Sequence, residues 1–103
     1  MELKVLEELN TSSAVSSEIG DKLYEKLCNI VKNNEKTKDL IIVDFNGIDD
    51  LTTAFLNNSI GKLFLNYNTK YLMDTLRFSG LKNSNHINLL KLTIFNAIEN
   101  SQS

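Results

Sequence analysis

Residues 40–63 read LIIVDFNGIDDLTTAFLNNSIGKL, and this stretch decides the fold. Its first six residues form a continuous apolar run with β-branched members, which predicts a strand buried on both faces, as in a parallel sheet. A polar turn follows, with two aspartates and two threonines. From about Thr53 the apolar residues recur at helical spacing and predict an amphipathic helix: Phe55, Leu56, Ile60, Leu63, Phe64 and Tyr67. We expect Gly61 to let this helix approach the sheet closely.

The segment before this stretch predicts another helix. A serine at position 16 or 17, at the end of the polar loop NTSSAVSS (residues 10–17), is suited to cap it, and Glu18 suits its positive end. The apolar residues of this helix fall on one face: Ile19, Leu23, Leu27, Ile30 and Val31. Residues 3–9 are ambiguous, because their apolar positions fit either a short strand or a helical turn.

The segment after the stretch adds a strand and a last helix. TLRFSGL, residues 75–81, alternates in polarity and predicts a strand that ends at Gly80. A helix capped by Ser84 or Asn85 is predicted to follow. The sequence LNYNTKYLMD, between the second helix and this strand, is less regular than the segments around it.

The alternation of strand and helix defines the predicted fold class. The order (β)αβαβα predicts an α/β fold in which a small, single-layer, mostly parallel sheet is covered by about three helices. The chain has 103 residues, which is enough for one domain and short for two. We therefore predict a single domain over residues 1–103.

The last predicted helix is apolar on more than one side. Its apolar residues spread wider than one stripe: Ile87, Leu89, Leu90, Leu92, Ile94, Phe95, Ala97 and Ile98. A helix of this kind usually contacts two neighbours. Two interpretations stay open, namely a helix deep between the sheet and the loops, and a helix that contacts a neighbouring chain.

Composition argues against several classes of partner. The formal net charge is −2 and the lysines are scattered, whereas nucleic-acid and anionic-lipid partners usually require a basic patch. No stretch approaches the ~20 apolar residues of a membrane span, and the first ten residues carry acidic side chains where a signal peptide has an apolar run. We predict a cytoplasmic protein that binds neither nucleic acid nor membrane.

Cys28 is the only cysteine and His86 the only histidine. Neither has a second cysteine or histidine at metal-ligand spacing, so we predict no metal and no cofactor. Cys28 lies beside Leu27 and Val31 in the sequence and is predicted to be a small buried apolar side chain.

The turn DDLTT, residues 49–53, admits three interpretations. In the first, Thr52 or Asp50 caps the helix and Thr53 is its first residue. In the second, Thr53 is phosphorylated. The phosphate adds about two negative charges beside Asp49 and Asp50, so that an acidic partner is expelled. In the third, the turn contacts a partner without phosphorylation.

Three aspartates lie close together in this stretch: Asp44, Asp49 and Asp50. Paired carboxylates can perform acid–base chemistry or bind Mg²⁺. Asp44, however, ends a hydrophobic strand, and aspartate is favoured in turns for its own hydrogen bonds. No histidine is nearby, and the sequence has neither a phosphate-binding loop nor a dinucleotide fingerprint. We therefore predict that the chain is not an enzyme.

At residues 40–63 the sequence resembles the bacterial STAS-like domain family of unknown function, named for similarity to anti-anti-sigma factors and to the cytoplasmic domain of sulphate transporters. In that family a strand ending in Asp-Phe leads to a variable turn. A Ser/Thr pair follows, and then a Phe-Leu that begins a helix with a glycine near its second turn. The matching residues here are Asp44-Phe45, Thr52-Thr53, Phe55-Leu56 and Gly61. The upstream SSEIGDKLYEKL resembles the family's first helix, so the likeness covers most of residues 12–98.

Anti-anti-sigma factors carry Asp-Ser-Ser-Gly at this place, and a partner kinase phosphorylates the first serine. Thr52 stands here in place of the aspartate and Thr53 in place of the phosphorylated serine, followed by Ala54 and Phe55. The resemblance thus keeps a hydroxyl acceptor at Thr53, whereas the aspartate and the glycine are replaced.

The resemblance implies a non-catalytic protein–protein interaction module. Its function would be that of a partner-switching regulator docking on a kinase-like ATPase or a regulatory protein, with Thr53 as the phosphorylation candidate. The docking surface that the resemblance implies includes the loop at 10–17 and the following residues: Ile48, Asp49, Asp50, Thr52, Thr53, Asn57, Asn58 and Lys62. Two alternatives stay open: a structural or homo-oligomeric assembly module joined through the last helix, and a small antitoxin-like regulatory partner without phosphorylation.

Overall fold

The computed structural model describes residues 1–101. The chain begins with strand β1 (Glu2–Lys4), the short helix α1 (Val5–Leu9), the two-residue strand β2 (Ser13–Ala14) and the long helix α2 (Ser17–Asn33). The ambiguous segment at 3–9 therefore contains the end of a strand followed by a helix. The loop predicted at 10–17 contains a strand that its polar sequence did not indicate.

The second part of the chain begins with the deciding stretch and repeats the alternation of strand and helix. The predicted strands at 40–45 and 75–81 and the predicted helices that follow them are confirmed. The elements in order are β3 (Ile41–Asp44), β4 (Asp50–Leu51), α3 (Thr53–Leu56), a π-helical turn (Asn57–Gly61), α4 (Lys62–Asn66), α5 (Thr69–Thr75), β5 (Leu76–Ser79) and α6 (Ser84–Ser101).

The main sheet has three parallel strands in the order β1-β3-β5. Its register places Leu3 beside Val43, and Val43 beside Phe78. The short strands β2 and β4 form a second parallel pair, with Ser13 beside Asp50. The mixed α/β architecture with a small parallel sheet confirms the predicted fold class.

Only one face of the main sheet is fully buried, so the expectation of a strand buried on both faces is wrong. Ile41 and Val43 of β3 are completely buried, whereas Ile42 and Asp44 between them are partly exposed. The same alternation occurs in β1, where Leu3 alone is buried. The physical reason is that the helical layer covers a single face, so side chains of the opposite face reach solvent.

The helical layer is built around the α3–π–α4 helix, which packs between α2 and α6. Gly61 contacts α6 rather than the sheet, contrary to the expectation, because a Cβ atom added there would lie 3.1 Å from Cγ2 of Thr93. Gly20 makes the corresponding close approach on the α2 side, where an added Cβ would lie 2.6 Å from the Phe55 carbonyl oxygen.

One helix and the cap of another differ from the sequence-based expectation. The segment LNYNTKYLMD was predicted to be irregular but contains α5, whose first turn is capped by the Asn68 side chain accepting from the Tyr71 N–H at 2.9 Å. The first turn of α6 is capped by Asn83, whose Oδ1 accepts from the N–H groups of Asn85 and His86. Asparagine oxygen is well suited to both positions.

Candidate functional site

The candidate site is the connection between β3 and α3, residues 48–55, which we call the junction. The β2–β4 pair fixes it against the loop at 10–17. The N–H groups of Asp49 and Asp50 donate to the Ser12 carbonyl at 2.9 and 3.2 Å, and the Thr52 N–H donates to the Ala14 carbonyl at 3.2 Å. The structure therefore brings together two segments that are more than thirty residues apart in the chain.

Thr52 caps the helix, as the first interpretation predicts. Its hydroxyl oxygen accepts from the Phe55 N–H at 3.3 Å, and the same hydroxyl donates to the Val15 carbonyl at 2.8 Å. Asp50, the other predicted cap, instead accepts a hydrogen bond from the Ser13 hydroxyl at 3.0 Å. Both side chains are therefore engaged within the fold.

Thr53 is the first residue of α3 and is exposed, which confirms its predicted position in the helix. Its hydroxyl makes no hydrogen bond to any residue in the described range. A hydroxyl at the first turn lies beside N–H groups that have no partner within the helix and carry positive partial charge. An added anion at Thr53 would therefore sit in a favourable local field and at the protein surface.

Asn58 and Lys62 face α2, whereas Asn57 is exposed. The Asn58 side chain lies 3.4 Å from the Ser17 carbonyl and from Asp21 Oδ1. Lys62 Nζ forms an ion pair with the same carboxylate at 2.8 Å, and the hydrogen bond that it donates to Asp21 raises the pKa of Lys62. These two predicted contact residues thus have partners inside the chain.

Ile48 belongs to the core rather than to the junction surface, because only 8% of it is exposed. Asp44 is the last residue of β3, and its Oδ1 accepts from the Asn46 N–H in the following turn at 2.9 Å. Asp49 is exposed, four residues before the first residue of α3. Over residues 1–101 no group of three or more histidine, cysteine, aspartate or glutamate side chains is placed to hold a metal ion.

A cluster that the sequence did not indicate surrounds Cys28. The cysteine is half-buried rather than buried as predicted, and the Tyr24 and Tyr67 side chains interact with it. Desolvation, with a hydrogen bond to Cys28, raises the pKa of Tyr67 to about 12. Lys62 Nζ lies 4.7 Å from the centre of the Tyr24 ring, a cation–π distance. In the sequence, the only indication of this cluster is the spacing of Tyr24 and Cys28, which lie one helical turn apart.

The fold and the junction define a small α/β domain with a parallel sheet and a capped helix that begins beside an exposed threonine. The chain belongs to the family described as the STAS-like domain of unknown function (DUF4325), which matches residues 20–86, more than half of the chain. The predicted resemblance is therefore confirmed. No curated protein and no solved structure matches the chain.

No helix described over residues 1–101 combines the length and the apolarity that a membrane span requires.

Proposed function

We propose that this STAS-like domain is a non-catalytic regulatory module that binds a partner protein through the junction and is released by phosphorylation of Thr53. The observation that carries the proposal is the contrast between the two threonines. Thr52 and Asp50 are engaged in hydrogen bonds within the chain, whereas Thr53 presents its hydroxyl to solvent. A partner enzyme can therefore reach Thr53 without breaking the helix cap.

The surface around Thr53 has the mixed character of a protein-binding site. Val15 is an apolar residue that is 42% exposed, and its carbonyl accepts the hydroxyl of Thr52, the residue before Thr53. Asp49 and Asn57 add exposed polar groups. An apolar anchor with a polar surround is the usual composition of the centre and rim of an interface.

Phosphorylation would change this surface electrostatically. A phosphate adds about two negative charges at pH 7, four residues along the chain from the exposed carboxylate of Asp49. A partner that accepts the neutral hydroxyl against its own surface would meet a concentrated negative charge. Docking on a kinase-like ATPase or a regulatory protein, as the family resemblance implies, would then depend on the state of Thr53.

The experiment that tests the proposal is affinity capture from the host extract with variants compared side by side. We expect the wild type and Thr53→Ala to recover the same defined partner and Thr53→Glu to lose it. Thr69→Glu is the matched control, because Thr69 is also the first residue of a capped helix. Equal recovery by Thr53→Glu and Thr69→Glu would contradict the switch.

The oligomeric alternative is favoured by one observation. Leu92 and Phe95 of α6 are 55% and 59% exposed. The interpretation of α6 as a helix deep between the sheet and the loops does not account for these two residues. Light scattering across a concentration series measures the mass of the particle. A monomer at all concentrations would contradict this second candidate.

A further inference from the structure

A groove of ≈ 680 Å³ runs between β5 and α6, with α5 at its end. It exists because α6 packs on the α3–π–α4 helix rather than on β5. All four residues of β5 line it, and most of the remaining lining is apolar. Two of the lining side chains, Met73 and Phe95, are more than half exposed at 54% and 59%. A concave, mostly apolar surface with a few polar groups is typical of a binding site.

The groove follows an edge of the main sheet. β5 pairs with β3 on one side, and no described residue pairs with it on the other. The Ser79 carbonyl accepts from the Phe45 N–H, so the backbone N–H and C=O groups of Ser79 point toward β3. Because successive residues of a strand point their N–H and C=O groups to opposite sides, both groups of Phe78 point to the open edge.

The remaining edge groups near the start of β5 are already engaged. The Leu76 N–H donates to the Leu72 carbonyl at the end of α5. The Leu76 carbonyl accepts from Arg77 Nη1 at 2.8 Å. The edge therefore offers a defined pair of backbone groups at Phe78, bordered by an arginine, rather than a long unprotected ladder.

The charges on the groove are all of one sign. Arg77 and Lys91 are the only charged residues among its lining, and neither takes part in an ion pair between described residues. Two copies of this chain joined edge to edge at Phe78 about a twofold axis would place the two Arg77 side chains diagonally across the new pair of strands. Diagonal neighbours are within reach of long side chains, so the like charges would repel each other and weaken the pairing.

We propose that the groove binds an extended segment of a partner protein in which apolar and acidic residues alternate, and that this segment adds to the edge of β5 as a further strand. The Phe78 backbone supplies the strand hydrogen bonds, and the apolar walls take the side chains on the helix side of the added strand. Arg77 attracts the carboxylates on the opposite side of that strand, and the exposed Lys91 of α6 adds positive charge to the groove. The groove and the junction share no residue, so this site is independent of the switch at Thr53.

The test uses the full chain and a labelled peptide of alternating valine and glutamate, about eight residues long, which exceeds an ordinary strand. Fluorescence anisotropy measures its affinity. The same peptide with lysine in place of glutamate should bind at least about tenfold more weakly. A glutamate peptide with a methylated backbone should also bind more weakly, because it cannot pair as a strand.

Variants of the protein locate the site. Lys91→Glu should weaken binding of the glutamate peptide about fivefold, whereas Lys22→Glu, an equal charge change at an exposed position of α2, should leave it unchanged. Phe95→Ala should weaken it about tenfold, with Leu65→Ala at an exposed position of α4 as its control. Hydrogen exchange of the Phe78 amide should slow when the peptide is bound.

Two results would overturn the proposal. One is equal affinity for the glutamate and lysine peptides together with equal effects of Lys91→Glu and Lys22→Glu. The other is self-association of the wild-type chain that Phe95→Ala reverses, since the groove would then be occupied by a second copy. Neither result bears on partner release at Thr53, so the two proposals fail separately.

Discussion

Thr52 and Thr53 are chemically identical neighbours with opposite environments. Thr52 uses its hydroxyl as acceptor and donor, toward the Phe55 N–H and the Val15 carbonyl. Thr53, one residue further along, begins the helix with its hydroxyl in solvent. The reason is geometric, because the capping residue has extended backbone angles that aim its side chain back at the first turn. The residue after it turns its side chain away.

This difference predicts unequal effects of the same substitution. Thr52→Ala should lower the free energy of unfolding by about 1–2 kcal/mol, because it removes a helix cap and a second hydrogen bond. Thr53→Ala should change it by less than about 0.5 kcal/mol, as expected for an exposed residue. Urea unfolding followed by circular dichroism measures both. Equal losses of unfolding free energy in the two variants would contradict this difference between Thr52 and Thr53.

Tyr67 gives a prediction for alkaline pH. Its pKa is raised by desolvation, and by a hydrogen bond to Cys28, to about 12 from an ordinary value of 10.0. The fold therefore favours the neutral phenol. The stability that this contributes is fully present below pH 10.0 and is lost as pH rises toward about 12.

Phenolate absorbance recorded against pH tests this directly. We expect the last tyrosine to ionise well above the ordinary value, and Tyr67→Phe to remove that last transition while earlier ones remain. A titration in which all tyrosines of the folded chain ionise together near the ordinary value would contradict the assignment.

The contact between α2 and α3 depends on two features of the helix backbones. Gly20 lets α2 approach the Phe55 carbonyl, where an added Cβ would lie 2.6 Å away. The same carbonyl accepts the buried Ser59 hydroxyl at 2.8 Å, just inside the π-helical turn. A π turn widens the helix and disturbs the regular hydrogen-bond pattern, and the serine supplies a donor at that place.

Gly20→Ala should therefore destabilise the protein, although the same change at an open helix position stabilises by about 1 kcal/mol. The added methyl group meets a backbone oxygen that cannot move freely, so we expect a loss of about 1–3 kcal/mol. Lys22→Ala, at an exposed position of the same helix, should change stability little. An increase in the unfolding midpoint of Gly20→Ala would contradict the close approach.

The elements differ in how far the sequence specifies them. β3 and the α3–π–α4 helix were predictable, because apolar runs and helical spacing record burial directly. β2 and β4 were not, because each has two residues and exists only through pairing across the chain. The cap of α3 followed from local sequence, whereas the turning of Asn58 and Lys62 toward α2 depends on tertiary packing. α5 was missed because seven residues carry too little periodicity.

The core joins residues from outside the matched family region to those within it. Leu3, Val5 and Leu9 precede residue 20, Leu90 and Ala97 follow residue 86, and all five are buried in the same hydrophobic cluster. β1 also supplies one of the three strands of the main sheet. These contributions are large relative to the marginal stability of a small domain.

We therefore predict that residues 20–86 do not fold alone and that residues 1–103 behave as one cooperative unit. Thermal unfolding followed by circular dichroism should give a single transition for the full chain and none for the fragment. A fragment that unfolds cooperatively at the midpoint of the full chain would show that the flanking segments are dispensable.

In the proposed function, the phosphorylation state of Thr53 decides whether the partner stays bound, and this state can be measured directly. The protein would be purified from its host, separated by size into free and partner-bound fractions, and analysed by peptide mass spectrometry. We predict phosphate on Thr53 in the free fraction and unmodified Thr53 in the bound fraction. Unmodified Thr53 in both fractions, or equal modification in both, would contradict a phosphorylation switch at the junction.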